Sequence, residues 1–212
     1  MLDLLFPPRC PFCRGILKDS EKLICARCMK ELPWTPEAAQ RQKFRHVEVC
    51  VSPLYYEGEV RRSLLRYKFG GLSVYAPKYA RLLEDCIRRN GLEFDLIAWA
   101  PLGRKRLKKR GYDQGKLLAQ ELSGSLQIPC PQLLVKTADN PPQSGTGSAE
   151  KRRANVAGVY RIVDPALVKD QRVLLVDDIV TTGATISECA RVLKAAGAKS
   201  VCAAALARSR FG

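Results

Sequence analysis

The chain has 212 residues, 46% of them hydrophobic, which allows one α/β domain plus a small appendage and excludes global disorder. Its 36 Lys and Arg against 21 Asp and Glu leave a formal charge of +15, which favours polyanionic partners such as nucleic acid or phosphorylated small molecules; a merely soluble basic surface is the plain alternative. No apolar run approaches the ~18 residues of a membrane span, and MLDLLFPPRC lacks the basic start and long apolar stretch of a signal peptide, so no membrane insertion is expected and the expected compartment is cytoplasmic.

The first element is a four-cysteine module, residues 1–35. Cys10, Cys13, Cys25 and Cys28 follow C-x2-C-x11-C-x2-C, in a stretch too short to build an apolar core. Two tight CxxC bends presenting four thiolates suit tetrahedral Zn²⁺ in a structural role; redox pairs and an iron–sulfur site are the rivals. Its nearest aromatics, Phe12 and Trp34, are few for base stacking. Cys50, Cys86, Cys130, Cys189 and Cys202 are scattered through apolar segments and read as small buried hydrophobes.

Residues 36–48 read as a polar connector, and 49–212 as the main domain. Strands are expected at 49–56, 94–101, 131–136, 155–162, 172–177 and 200–207. Helices are expected at 59–71, ended by Gly70 and Gly71, then at 76–91, 113–123 and 186–197. In the second of these, Tyr79, Leu82, Leu83, Cys86 and Ile87 share a stripe. The basic run RKRLKKR (104–110) and KRR (151–153) are placed in loops, and TADNPPQSGTGSAEKRR (137–153) reads as one long loop. Alternating strands and helices predict a mainly parallel sheet with ligands at the carboxyl ends of its strands.

The chemistry concentrates in VLLVDDIVTTGAT (173–185). Asp177 and Asp178 end a strand; Thr181, Thr182, Gly183, Ala184 and Thr185 lead into a helix, where backbone N–H groups and hydroxyls form an anion cradle. Neither the P-loop nor the dinucleotide glycine pattern is present. Carboxylates do not bind phosphate, so they face another part of the same ligand: vicinal ribose hydroxyls and a divalent cation. A solvated acidic turn with a threonine N-cap, or a phospho-acceptor aspartate, are the competing readings.

LLVDDIVTTGAT resembles the 5-phosphoribosyl 1-diphosphate (PRPP) motif of type I phosphoribosyltransferases. The resemblance implies ribose 2′- and 3′-hydroxyls on Asp177 and Asp178 and the 5-phosphate on Thr181 to Thr185. The cysteine head, YKFGG (67–71), AWAPLGRKRLKKRGYDQGKLLA (98–119) and RRANVAGVY (152–160) are similar, as an ordered set, to ComF-type proteins associated with DNA uptake and use. The family's RG[FY]NQ stands here as Arg110-Gly111-Tyr112-Asp113-Gln114, an acid replacing the amide; between Gln143 and Arg152 a usual leucine is absent and the spacing is one residue long.

By the same resemblance, Pro101, Leu102, Gly103, Arg104 and Arg110 grip pyrophosphate, with a solvated basic turn or a nucleic-acid strip as alternatives. The loop at 137–153 becomes a lid bringing Lys151, Arg152 and Arg153 to the leaving group, with Arg152 acting in catalysis beside Asp177 and Asp178; ordinary exposed charge is the competing reading. Tyr55, Tyr56, Tyr67, Lys68 and Phe69 form the hood over an acceptor that the residues do not identify. The implied cofactors are structural Zn²⁺ and, with PRPP, Mg²⁺. The implied partners are PRPP, an unknown acceptor, and single-stranded DNA or a competence ATPase; a homo-oligomer is left open. A PRPP sensor without catalysis, or a DNA-handling accessory, stands beside the enzyme.

Overall fold

The computed structural model describes residues 7–138 and 157–210. Its centre is β7 (Arg172–Val180), beside β8 (Ser200–Arg208) on one side and β4 (Leu96–Trp99) on the other. Both pairings are parallel. Beyond β8 come β2 (Val47–Val51), also parallel, and β1 (Arg41–Phe44), antiparallel on the edge; the two-residue β3 (Leu54–Tyr55) pairs with the far end of β8.

Near-continuous apolar runs in β7 and β8 fit strands covered on both faces. The period of two divides β7 between two cores: Leu174 and Val176 enter one, Val173 and Leu175 the other. The first core is covered by α2 (Gly58–Phe69), α3 (Ala76–Arg89) and α5 (Gln114–Leu126), the second by α6 (Ala184–Ala195). The predicted α3 stripe of Tyr79, Leu82, Leu83, Cys86 and Ile87 is buried throughout.

Several expectations change. The strand at 49–56 is broken at Ser52-Pro53, because proline has no ladder N–H to give. The polar connector holds a 3-10 turn at Glu37–Ala39 and then β1, which pairs with β2. RKRLKKR is not a loop but helix α4 (Arg104–Arg110), ended by Gly111 at φ 80°. The strand at 131–136 shrinks to β5 (Leu134–Lys136), paired antiparallel with β6 (Tyr160–Ile162) apart from the main sheet. The proposed lid, with Lys151, Arg152 and Arg153, lies outside the described residues from 139 onward. β7 itself continues three residues past its expected end, so both acids stand within the strand.

The cysteine module docks on α2 and α3. Phe12 is fully buried, edge-on to Tyr79 at 5.8 Å, and belongs to the same core as Tyr67 and Tyr79. Ser63 Oγ donates to the Pro11 carbonyl at 2.6 Å, Arg66 to the Phe12 carbonyl, and Lys78 to the Arg9 carbonyl at 3.1 Å. Phe12 is therefore unavailable for stacking on a base, and Trp34 donates its Nε1–H to the Met29 carbonyl at 2.8 Å. Cys50, Cys86, Cys189 and Cys202 are buried as expected, Cys130 only partly.

Candidate functional site

In the N-terminal module, the sulfurs of Cys10, Cys13, Cys25 and Cys28 lie within 4.8 Å of one another. A tetrahedral metal with Zn–S near ~2.3 Å needs sulfurs about 3.8 Å apart, and Cys13 Sγ stands 3.6 Å from Cys25 Sγ. Cys25 caps the short helix α1 (Ala26–Glu31) and accepts the Cys28 N–H, which fixes the second pair. Burial pushes the Cys25 and Cys28 thiols up, while the Gly15 N–H and the other sulfurs bring Cys13 down to about 7 against its own burial. Four sulfurs gathered at this spacing from two CxxC bends are the donor set of a structural zinc site, so the donor chemistry fits Zn²⁺.

The second site is a cavity of about 460 Å³ at the carboxyl ends of β4 and β7. Asp177, Asp178 and every residue from Thr181 to Thr185 line it. Gly183, at φ 70°, precedes α6, and no side chain caps that helix. The first-turn N–H groups are thus left for a ligand, as an anion cradle requires, and the threonine N-cap does not occur. Only glycine suits position 183 on two counts. Its φ is left-handed, and a Cβ there would sit 2.2 Å from Cδ1 of Phe44 on β1.

Asp178 is buried, and its Oδ2 lies 3.0 Å from Lys68 Nζ. Asp177 Oδ1 accepts the Asp178 N–H at 2.8 Å. Burial, then the Asp178 carboxylate, raises Asp177 well above the usual carboxylate range, with Lys68 opposing. The Asp177 carboxyl is therefore sensitive to any cation placed beside it.

After β4, Pro101 and Leu102 line the cavity, while Gly103 is buried as the residue before α4. Asp113 ties this loop down: Oδ2 accepts the Leu102 N–H at 2.8 Å, and Oδ1 accepts the Lys116 N–H at 3.1 Å as the N-cap of α5. Burial raises the Asp113 carboxyl, and Asp178 adds to the shift. Arg104 is exposed and outside the lining. Arg106 and Arg110, four residues apart and so on one helix face, line it instead. Arg110 donates to Gln114 Oε1 at 2.8 Å, and its guanidinium lies 4.8 Å from the centre of the Phe69 ring. Of the expected hood, Tyr56 and Lys68 line the cavity; Tyr67 is wholly buried and Phe69 exposed. Lys136 of β5 and Tyr160 of β6 complete the wall. Sequence reasoning missed Phe44, Arg106, Lys136 and Tyr160. Only the i, i+4 phase of the two arginines could have been found, and only with α4 read as a helix.

A cavity lined by two carboxylates and by a hydroxyl-rich helix start matches a phosphorylated polyol. Residues 109–210 match the phosphoribosyl transferase domain model, and residues 1–42 the double zinc ribbon domain model. The protein that fold and sites define is a type I phosphoribosyltransferase fold joined to a zinc-ribbon module with a structural Zn²⁺ site. "DNA utilization protein YhgH" of Salmonella typhi is 32% identical over 200 residues, covering 91% of this chain and 80% of its own. "Competence protein F" of Haemophilus influenzae is 28% identical over 225 residues, covering 95% and 97%, and "Competence protein ComFC" of Streptococcus pneumoniae 27% over 196 residues, covering 91% and 84%. The chain belongs to the ComF family.

Proposed function

We propose that this protein binds PRPP and transfers its phosphoribosyl group to an acceptor nucleophile. The observation that carries the reading is the meeting, in one cavity, of the Asp177–Asp178 pair with an uncapped helix start flanked by Thr181, Thr182 and Thr185. The acids accept the ribose hydroxyls, and residues 181–185 hold the 5-phosphate.

During transfer the bond from C1 to the diphosphate oxygen breaks, a bond from C1 to the acceptor forms, and the acceptor's proton passes to solvent. Positive charge gathers on C1, negative charge on the leaving diphosphate. Arg106 and Arg110, with Pro101, Leu102 and Gly103, receive the diphosphate; Lys151 and Arg152, outside the described residues, are the further cations of this reading, Arg152 acting at the leaving group. Mg²⁺ accompanies the diphosphate and offsets its charge.

Titration calorimetry with PRPP and Mg²⁺, then pyrophosphate release in the presence of a cell-extract metabolite pool, tests the reading. Binding that Asp177→Asn/Asp178→Asn abolishes supports the pocket; pyrophosphate release separates an enzyme from a PRPP sensor. No binding by the wild type removes both.

A second reading is favoured by α4, where Arg104, Lys105, Lys108 and Lys109 are exposed beside the cavity wall. With relatives named for competence and DNA utilization, this strip suits the backbone of single-stranded DNA. A competence ATPase is the protein partner of that reading. Among the described residues no helix is long and apolar enough to cross a membrane.

A further inference from the structure

The acidic pair already holds a cation belonging to the chain. Lys68 Nζ lies 3.0 Å from Asp178 Oδ2, with the two side chains only 17% and 9% exposed. The lysine is delivered there by its neighbours. Tyr67, one residue before it, donates its hydroxyl to the Gln114 carbonyl, and its own carbonyl accepts the Tyr112 hydroxyl. Phe69, one residue after, lies against the Arg110 guanidinium. Gly70 then ends the helix where a Cβ would stand 2.8 Å from the Arg66 carbonyl oxygen. The last turn of α2 is thereby fixed against the start of α5, and the ammonium reaches the acids from a rigid base.

Two adjacent carboxylates in a half-closed cavity repel a phosphorylated ligand unless a cation offsets them. A divalent metal on the acids is one means and an ammonium of the chain is another, and here the ammonium is already in place on Asp178. Among the described residues, no group of three or more His, Cys, Asp or Glu side chains gathers around Asp177 and Asp178, so a metal there would draw at most these two carboxylates from the chain. A metal on Asp178 Oδ2 would also have to displace an ammonium already in contact.

We infer that Lys68 is the built-in countercation of Asp177 and Asp178, so that the pocket binds a 5-phosphorylated ribose with no divalent metal on the acids. The inference rests on the phosphoribosyl reading above and deepens it. With PRPP itself, Mg²⁺ enters only as part of the metal–diphosphate substrate.

Ribose 5-phosphate is the probe, because it carries no diphosphate to recruit a metal. Calorimetry is run in resin-treated buffer with Mg²⁺ added or omitted, with no soluble chelator, so that the cysteine-bound zinc stays in place. The wild type is expected to change affinity by less than about threefold when Mg²⁺ is omitted. Lys68→Met is expected to lose about tenfold or more without Mg²⁺ and to regain part of it with Mg²⁺, while Lys68→Arg stays within about threefold of wild type. A lysine serving only stability would lower the melting temperature of Lys68→Met and leave metal-free affinity unchanged, which overturns the inference. Wild-type binding that requires Mg²⁺ also overturns it, and leaves the phosphoribosyl reading standing. Wild type that binds under neither condition removes that reading and the inference together. The wild-type pair of measurements decides alone if Lys68→Met fails to fold.

Discussion

The ring of Phe44 closes over the α-carbon of Gly183 so tightly that a methyl group there would lie 2.2 Å from Cδ1 of the ring. An edge strand thus braces the turn that leads into α6. Gly183→Ala forces either the ring or the turn to move, and adds a left-handed backbone cost of about 1–2 kcal/mol. The expected result is a lower melting temperature and a loss of ribose 5-phosphate affinity. Phe44→Ala in the same chain removes the clash but not the backbone cost, so it should restore part of the affinity. Equal affinities for the single and double variants would show that the ring does not brace the loop.

Zinc loss should reach the pocket as well as the module. Phe12 meets Tyr79 edge-on at 5.8 Å, Tyr79 meets Tyr67 at 5.1 Å, and Tyr67 precedes Lys68. A module folded on metal can draw about 10 kcal/mol or more from it. Cys28→Ser is expected to lose stoichiometric zinc by elemental analysis and to melt well below the wild type. It should also weaken ribose 5-phosphate binding, because the base of α2 loses the Pro11 and Phe12 contacts to Ser63 and Arg66. Unchanged binding in a zinc-free, folded variant would show the two units to be energetically separate.

What could be read from sequence follows from how local each signal is. The α3 stripe and the β7 run declare themselves within a dozen residues, and the Thr/Gly turn carries its own backbone chemistry. β1 was invisible because Arg41, Gln42 and Lys43 give no alternating apolar face, and its one large apolar ring packs on a glycine far along the chain. Helix α4 has no apolar stripe, yet Arg, Lys and Leu favour helix, and Gly111 marks its end. Misreading it as a loop pointed to Arg104, whereas helical phase turns Arg106 and Arg110 inward. The Lys68–Asp178 contact joins residues too distant in sequence for any periodicity to reveal.

The acid at position 113 should make stability depend on pH. Burial raises its folded pKa above the unfolded value near ~3.9, so folding favours the protonated form. That contribution is full below the unfolded pKa and is lost as pH rises through the folded one. Asp113→Asn keeps an amide N-cap but gives up one of the acceptors now serving Leu102 and Lys116, which sets a constant offset. Against that offset, the melting temperature of the variant is expected to gain on the wild type as pH rises from about 4, and to level off once pH has passed the folded pKa of Asp113. A flat difference across the series would mean that Asp113 is not perturbed.

The exposed face of α4 should act on polyanions and leave the pocket alone. Arg104, Lys108 and Lys109 are exposed and outside the cavity lining, whereas Arg106 and Arg110 line it. Each single-strand phosphate neutralised contributes about 0.7 to the slope of log affinity against log salt, so replacing all three cations with Gln should flatten that slope by up to about 2. Fluorescence anisotropy with a labelled single-stranded oligonucleotide, over a salt series, measures it. Ribose 5-phosphate affinity should stay at the wild-type level, because none of the three faces the ligand. If the slope is unchanged, any nucleic acid contact lies elsewhere on the surface; if ribose 5-phosphate binding falls as well, the outer face of α4 and the cavity are one electrostatic unit rather than two.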